Sequence, residues 1–263
     1  MGATAFWECV RDAWTDAARF IRKRPLTIAA AFAILVACNA ISIALSGLYG
    51  PMSAGTASKL LQWITTSVRL VVMLSLSIQV MRDVMLGERE LTPRRVFGRE
   101  FWRYLGLSFA IGVGCIVIAV LLVGVGFLLT RSFKGYFGGA GLQLVMWSAI
   151  ALCVISFVAT RLSLLFCHVA IGRSLRWRAA WNDTRGRFWR IIVSHVLAAL
   201  PVEVGLVGVF VLIHLTLGTS VKLTPPYLAA MVLSLFTCAG LVIGATCACW
   251  LYRRLARTLL EGQ

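Results

Sequence analysis

Six apolar runs, each long enough to cross a lipid bilayer, constrain the fold of this chain more than any other feature. A span needs about 20 helical residues, and the runs occupy residues 26–47, 60–81, 104–130, 141–160, 191–216 and 227–251. Only 14% of the residues are charged, against roughly 25% in soluble domains. Because backbone polar groups in lipid must bond within the chain, this pattern predicts an all-α polytopic protein with six transmembrane helices.

The basic residues are distributed unevenly along the chain and predict its orientation. Of the 26 Lys and Arg, 21 lie in the N-terminal segment, residues 82–103, residues 161–190 and the C-terminal tail. Cytoplasmic flanks carry such an excess, so both termini are expected in the cytoplasm. A basic cytoplasmic face needs no nucleic acid to explain it, and anionic lipid headgroups are the expected partners of the +16 net charge.

An internal repeat organises the segments that precede the spans. "RDAWTDAARFIR" (11–22) and "RAAWNDTRGRFWR" (178–190) share Arg-x-Ala-Trp-x-Asp and then Arg-Phe-x-Arg, and Phe-x-Arg recurs at 101–103. "VMLG" (84–87) and "VAIG" (169–172) end two even-numbered spans. We therefore predict a single integral membrane domain built from three repeats of an amphipathic interfacial helix plus two spans, covering residues 1–87, 88–172 and 173–263.

The pre-span segments carry aromatic residues on one side and arginines on the other, a pattern typical of helices lying at headgroup depth. The alternative is that they are ordinary flanking residues whose long side chains snorkel towards water. The candidate headgroup contacts are Trp14, Arg19, Arg22, Trp102, Arg103, Trp177, Arg178, Trp181, Arg185, Arg187, Trp189 and Arg190.

Two ionisable residues lie near the middle of spans, where a charge is costly and needs a partner. Arg69 is in the second span and Glu203 is in the fifth, and their opposite charges predict an intramembrane ion pair or a shared polar cavity. Such a pair either fixes helix register or forms the polar site of a transporter or proton relay.

The sequence contains none of the common motifs for catalysis or metal binding. The sequence has no His-Glu-x-x-His, no paired Cys-x-x-Cys, no Gly-x-Ser-x-Gly and no carboxylate pair suited to acid–base chemistry. The eight cysteines lie on the cytoplasmic side or within spans, where they are expected to be small packing residues. We predict no enzymatic activity, no cofactor and no metal.

Residues 160–201 resemble uncharacterised bacterial six-span membrane proteins related to the membrane-anchor domain of glycerophosphoryl diester phosphodiesterases. The matching residues are Arg161 to Leu164, Ile171-Gly172, Ala180-Trp181 and Thr184 to Gly186. The resemblance implies six spans in a bacterial inner membrane. It carries over no catalytic residue, since these residues match the anchor and not the hydrolase domain.

The sequence thus favours a non-enzymatic multi-pass inner-membrane protein that acts through lipid or protein contacts on its cytoplasmic face. One alternative is a small transporter or permease-like protein that uses Arg69 and Glu203. A second alternative is an accessory subunit of a membrane complex, with an unknown protein partner.

The predicted orientation can be measured with reporter fusions. A fluorescent protein that matures only in the cytoplasm should be active at either terminus, and alkaline phosphatase should be active only when inserted in the connections near Lys59, Lys134 or Lys222. Phosphatase activity at either terminus would reverse the assignment.

Overall fold

A computed structural model describes residues 3–49, 56–87, 98–132, 140–217, 226–256 and 259. Within these ranges every regular element is an α-helix. The eight helices are α1 (Ala3–Lys23), α2 (Pro25–Tyr49), α3 (Thr56–Leu86), α4 (Arg99–Ser132), α5 (Ala140–Ala170), α6 (Trp177–Asp183), α7 (Phe188–Leu217) and α8 (Pro226–Leu255).

Six of these helices, α2, α3, α4, α5, α7 and α8, are long and apolar enough to cross a membrane. The all-α, six-span prediction is therefore confirmed, and the chain is a multi-pass membrane protein. The helices extend past the apolar runs that predicted them, and the largest difference is at α5, which ends ten residues beyond residue 160. Leu162, Leu164 and Leu165 are buried in this extension, and no proline interrupts it.

Glycines with positive φ close two of the long helices. Gly87 (φ 72°) follows α3 and Gly172 (φ 84°) follows α5, at the predicted spacing of 85 residues. Glycine adopts this left-handed conformation without the steric cost that a Cβ imposes, so it ends a helix sharply. The corresponding third position, near residue 262, lies outside the described residues.

The helices form two compact units. The first contains Met1–Val96 and Val193–Leu251, and therefore α1, α2, α3 and most of α7 and α8. In it, Asn39 Nδ2 on α2 donates to Ser234 Oγ on α8 at 2.9 Å, and Ser234 in turn donates to Ala230 O. Both side chains are buried, so the polar contact between these spans is satisfied in the interior of the unit.

The second unit contains Phe97–Ile192 and Tyr252–Gln263. Its α4 and α5 pack along each other, with the rings of Tyr104 and Phe166 5.3 Å apart, and α6 packs on α5. The chain turns back after Gly172, so that α6 lies beside the end of the helix that precedes it.

One face of helix α1 is buried against other helices of the first unit. Cys9, Ala13, Ala17 and Phe20 are buried, a face with helical spacing, and α1 packs on α2 and α3. The small alanines of this face allow α1 to approach the neighbouring helices closely.

The Asn39 hydrogen bond gives a stability prediction. Asn39→Leu should lower the free energy of unfolding in mixed detergent micelles by about 1 kcal/mol, the scale of interhelical hydrogen bonds in membranes. Thr237→Ala is the control, because its hydroxyl donates to Leu233 O of its own helix. Equal effects of the two substitutions would argue against a stabilising role for the α2–α8 bond.

Candidate functional site

The corner between α5, α6 and α7 in the second unit holds most of the predicted headgroup residues. At its centre the guanidinium carbon of Arg161 lies 5.0 Å from the ring centroids of both Phe157 and Trp181. Arg161 Nη1 also donates to Trp181 O at 3.2 Å. The cation between two aromatic rings and its hydrogen bond to the backbone carbonyl of Trp181 fasten α6 to α5.

The end of α6 is held by buried polar groups. Asp183 is buried and its Oδ2 accepts the backbone N–H of Leu259 at 3.0 Å. The Thr184 hydroxyl donates to Ala180 O at 3.0 Å and lies 3.3 Å from Arg161 O. Asp183 thus anchors the segment after α8, which is a structural role.

A second buried polar contact joins α5 to the end of α8. His168 Nδ1 and the Tyr252 hydroxyl share a hydrogen bond of 2.7 Å, and both side chains are almost completely inaccessible to solvent. Sequence reasoning did not find this pair, because the two residues are 84 positions apart and no motif links them.

Four arginines around α6 and the start of α7 have no partner for their charge within the described ranges. Arg178, Arg185 and Arg190 are exposed and Arg187 is half-buried. None of these guanidiniums makes a hydrogen bond or ion pair with any residue that the structure describes. Gly186, with φ 72°, forms the turn between Arg185 and Arg187, so that α6 ends before α7 starts.

Exposed tryptophans accompany these arginines. Trp189, at the start of α7, has 73% of its surface exposed. Trp177 and Trp181 on α6 are partly exposed, although one face of Trp181 is covered by Phe157 and Arg161. Trp181 is therefore a packing residue as well as a candidate headgroup contact.

The three Phe-x-Arg copies show the same inward and outward pattern. Phe20 and Phe101 are buried and Phe188 contacts Phe157 at 5.1 Å. The residue that follows each phenylalanine is exposed, as Ile21, Trp102 and Trp189 respectively. This shared pattern supports the repeat, which stays a prediction.

The middle copy differs from the others in its local structure. Residues 99–103 form the first turn of α4, so Trp102 and Arg103 belong to the long helix itself. Residues 88–97, which complete the predicted interfacial segment, lie outside the described residues. Tyr104 and Phe188 contact α5 at Phe166 and Phe157, nine residues or about 14 Å apart, so the two Phe-Trp-Arg copies lie at different heights along α5.

In the first copy, on α1, Trp14 and Arg19 make contacts with other protein groups. Trp14 Nε1 donates to Ala198 O on α7 at 3.2 Å, three residues before Pro201. Arg19 Nη1 lies 2.8 Å from Asp16 Oδ1 of the same helix. Only Arg22 keeps an exposed guanidinium that no described residue pairs with. Trp14 is therefore a packing residue of the first unit, and its contact with headgroups stays a prediction.

The predicted direct ion pair between Arg69 and Glu203 is absent from the chain. Both residues are exposed, and neither side chain makes a hydrogen bond or an ion pair with any described residue. The buried intramembrane polar pair is instead Asn39 and Ser234. Its sequence signal was Asn39 itself, an amide within an otherwise apolar run. The transport alternative, which placed its polar site at Arg69 and Glu203, stays a prediction.

In the described ranges, no three His, Cys, Asp or Glu side chains are grouped so that they could hold a metal ion. Six of the eight cysteines are buried, which fits their expected packing role.

Searches with the chain found no matching family model, no matching curated protein and no matching solved structure.

Removing the Tyr252 hydroxyl should measure how strongly α5 holds the end of α8. Tyr252→Phe leaves a nitrogen of buried His168 without this partner, which costs about 1–3 kcal/mol. Thermal unfolding in detergent should show a lower Tm, whereas Tyr227→Phe, at an exposed residue, should leave the Tm unchanged. An unchanged Tm for Tyr252→Phe would show that His168 is satisfied in another way.

Proposed function

We propose that this chain is a non-enzymatic multi-pass protein of a bacterial inner membrane that binds anionic lipid headgroups through the corner formed by α6 and the start of α7. The observation that carries the proposal is the group of four arginines, Arg178, Arg185, Arg187 and Arg190, without a described protein partner and next to exposed tryptophans. The bacterial inner-membrane location rests on the resemblance of residues 160–201 and on the distribution of Lys and Arg.

The chemistry of the corner favours phosphate over a neutral ligand. Guanidinium groups donate paired hydrogen bonds to phosphate oxygens, while indole rings prefer the interface between headgroups and hydrocarbon. The acidic residues in the described part of the second unit are Glu100 and Asp183. Asp183 is buried, and its carboxylate accepts a hydrogen bond from the backbone N–H of Leu259. Little negative charge in the described part of this unit therefore competes with lipid for these arginines.

The expected strength of lipid binding follows from the number of cations. Each Lys or Arg near an anionic surface contributes about 1 kcal/mol, so Arg178, Arg185 and Arg187 together contribute roughly 3 kcal/mol, or about a hundredfold in affinity. Because exposed charges are screened, this contribution should weaken as ionic strength rises.

Native mass spectrometry of the gently extracted protein tests the proposal. The triple variant Arg178→Gln, Arg185→Gln, Arg187→Gln should lose most co-purifying phosphatidylglycerol or cardiolipin, because three phosphate contacts are removed. The matched triple lysine variant keeps the charge and should retain most of the lipid.

Two outcomes would contradict the proposal. Unchanged lipid retention in the glutamine variant would assign these arginines to ordinary flanking positions. Arginine-dependent capture of an acidic protein without retained lipid would favour an accessory subunit of a membrane complex.

A further inference from the structure

Two opposite charges lie in the middle of spanning helices of the first unit. Arg69 is on α3 and Glu203 is on α7, and both side chains are exposed. Neither one has a hydrogen-bonding or ionic partner within the described residues. An isolated charge at this position in hydrocarbon is costly, and such residues are normally paired.

The two residues have matching positions along the membrane. Arg69 is 13 residues from Thr56 at the start of α3, and Glu203 is 14 residues from Leu217 at the end of α7. At 1.5 Å per residue, these distances are about 20 Å and about 21 Å from helix ends that the topology places on the same side. Side chains at that distance from a helix end are not near the headgroups, so snorkelling does not satisfy them.

The surface around Arg69 is unlike one that faces only lipid. Lys59, Gln62, Thr66 and Arg69 form an exposed polar stripe along one face of α3, at intervals of three, four and three residues. The Gln62 side chain has no hydrogen-bonding partner among the residues described in the structure. Amide groups within spans typically bond to another helix, so the stripe fits a protein neighbour.

We propose that two copies of this chain associate in the membrane, with Arg69 of each copy paired to Glu203 of the other. Rotation about an axis along the membrane normal preserves depth, so residues that pair between copies must lie at equal depth, as these two do. Each contact gives one cation and one anion, which would otherwise face hydrocarbon alone, a partner of opposite charge. A second copy supplies both complementary charges at the required depth, without any other protein.

Co-expression of two differently tagged single variants tests this association. Arg69→Glu alone and Glu203→Arg alone each place like charges opposite one another in a self-pair, and each should self-associate at least roughly tenfold more weakly than the wild type. When the two variants are co-expressed, every contact between unlike copies joins a carboxylate to a guanidinium. Capture of one tag should therefore recover the other to near the wild-type level.

The readout is two-tag capture together with single-molecule counting in liposomes, and Arg99→Glu serves as the control. It reverses an exposed charge at the start of α4, outside the polar stripe of α3, and it should leave the recovery unchanged. Folding of each single variant is checked by its thermal unfolding profile. If a single variant fails to fold, Arg69→Gln combined with Glu203→Gln replaces it and should abolish dimerisation while the monomer folds.

Three results would overturn the inference. They are a monomeric wild type, equal self-association of the single variants and the wild type, or failure of the complementary variants to recover each other. None of them affects the proposed headgroup contacts of α6 and α7, which involve other residues.

Discussion

The absence of water from the hydrocarbon core is the constraint on which the rest of this structure depends. A backbone amide there must bond within its own helix, which requires long uninterrupted helices for the six spans. A polar side chain must likewise find a partner in the protein, since no solvent replaces a missing one. Asn39 meets this requirement through Ser234, whereas Arg69 and Glu203 do not meet it within the described part of one copy.

The two helices that are not spans, α1 and α6, are held to their units by different polar contacts. In the first unit α1 contacts neighbouring spans through hydrogen bonds as well as its buried alanine face: Trp14 donates to Ala198 O, and Trp250 Nε1 on α8 donates to Asp12 Oδ2 at 3.2 Å. In the second unit α6 is fastened by Arg161 between two rings and by the polar contacts of Asp183 and Thr184. Equivalent positions, Ala13 and Ala180, are fully buried in both helices, while Asp16 and Asp183 have different partners.

This difference separates residues that hold the fold from those available for binding. Charge alone did not distinguish them in the sequence, where Arg19, Arg161 and Arg185 each lie within four residues of an aromatic residue. Arg19 pairs with Asp16, Arg161 lies between Phe157 and Trp181, and Arg185 has no described partner. The arginines without a partner among the described residues are the ones to which we assign phosphate contacts, because the others would have to give up protein contacts first.

The sequence by itself determined the helical class, the six spans and the glycines that end α3 and α5, because hydrophobic length and glycine conformation act locally. It did not determine where the helices end, since burial of Leu164 and Leu165 extended α5 beyond the apolar run. Nor did it determine which polar groups meet: His168 and Tyr252, or Asn39 and Ser234, are far apart in the chain. Only the tertiary structure decides such pairs, because the rotation of each helix about its axis depends on all the side chains packed around it.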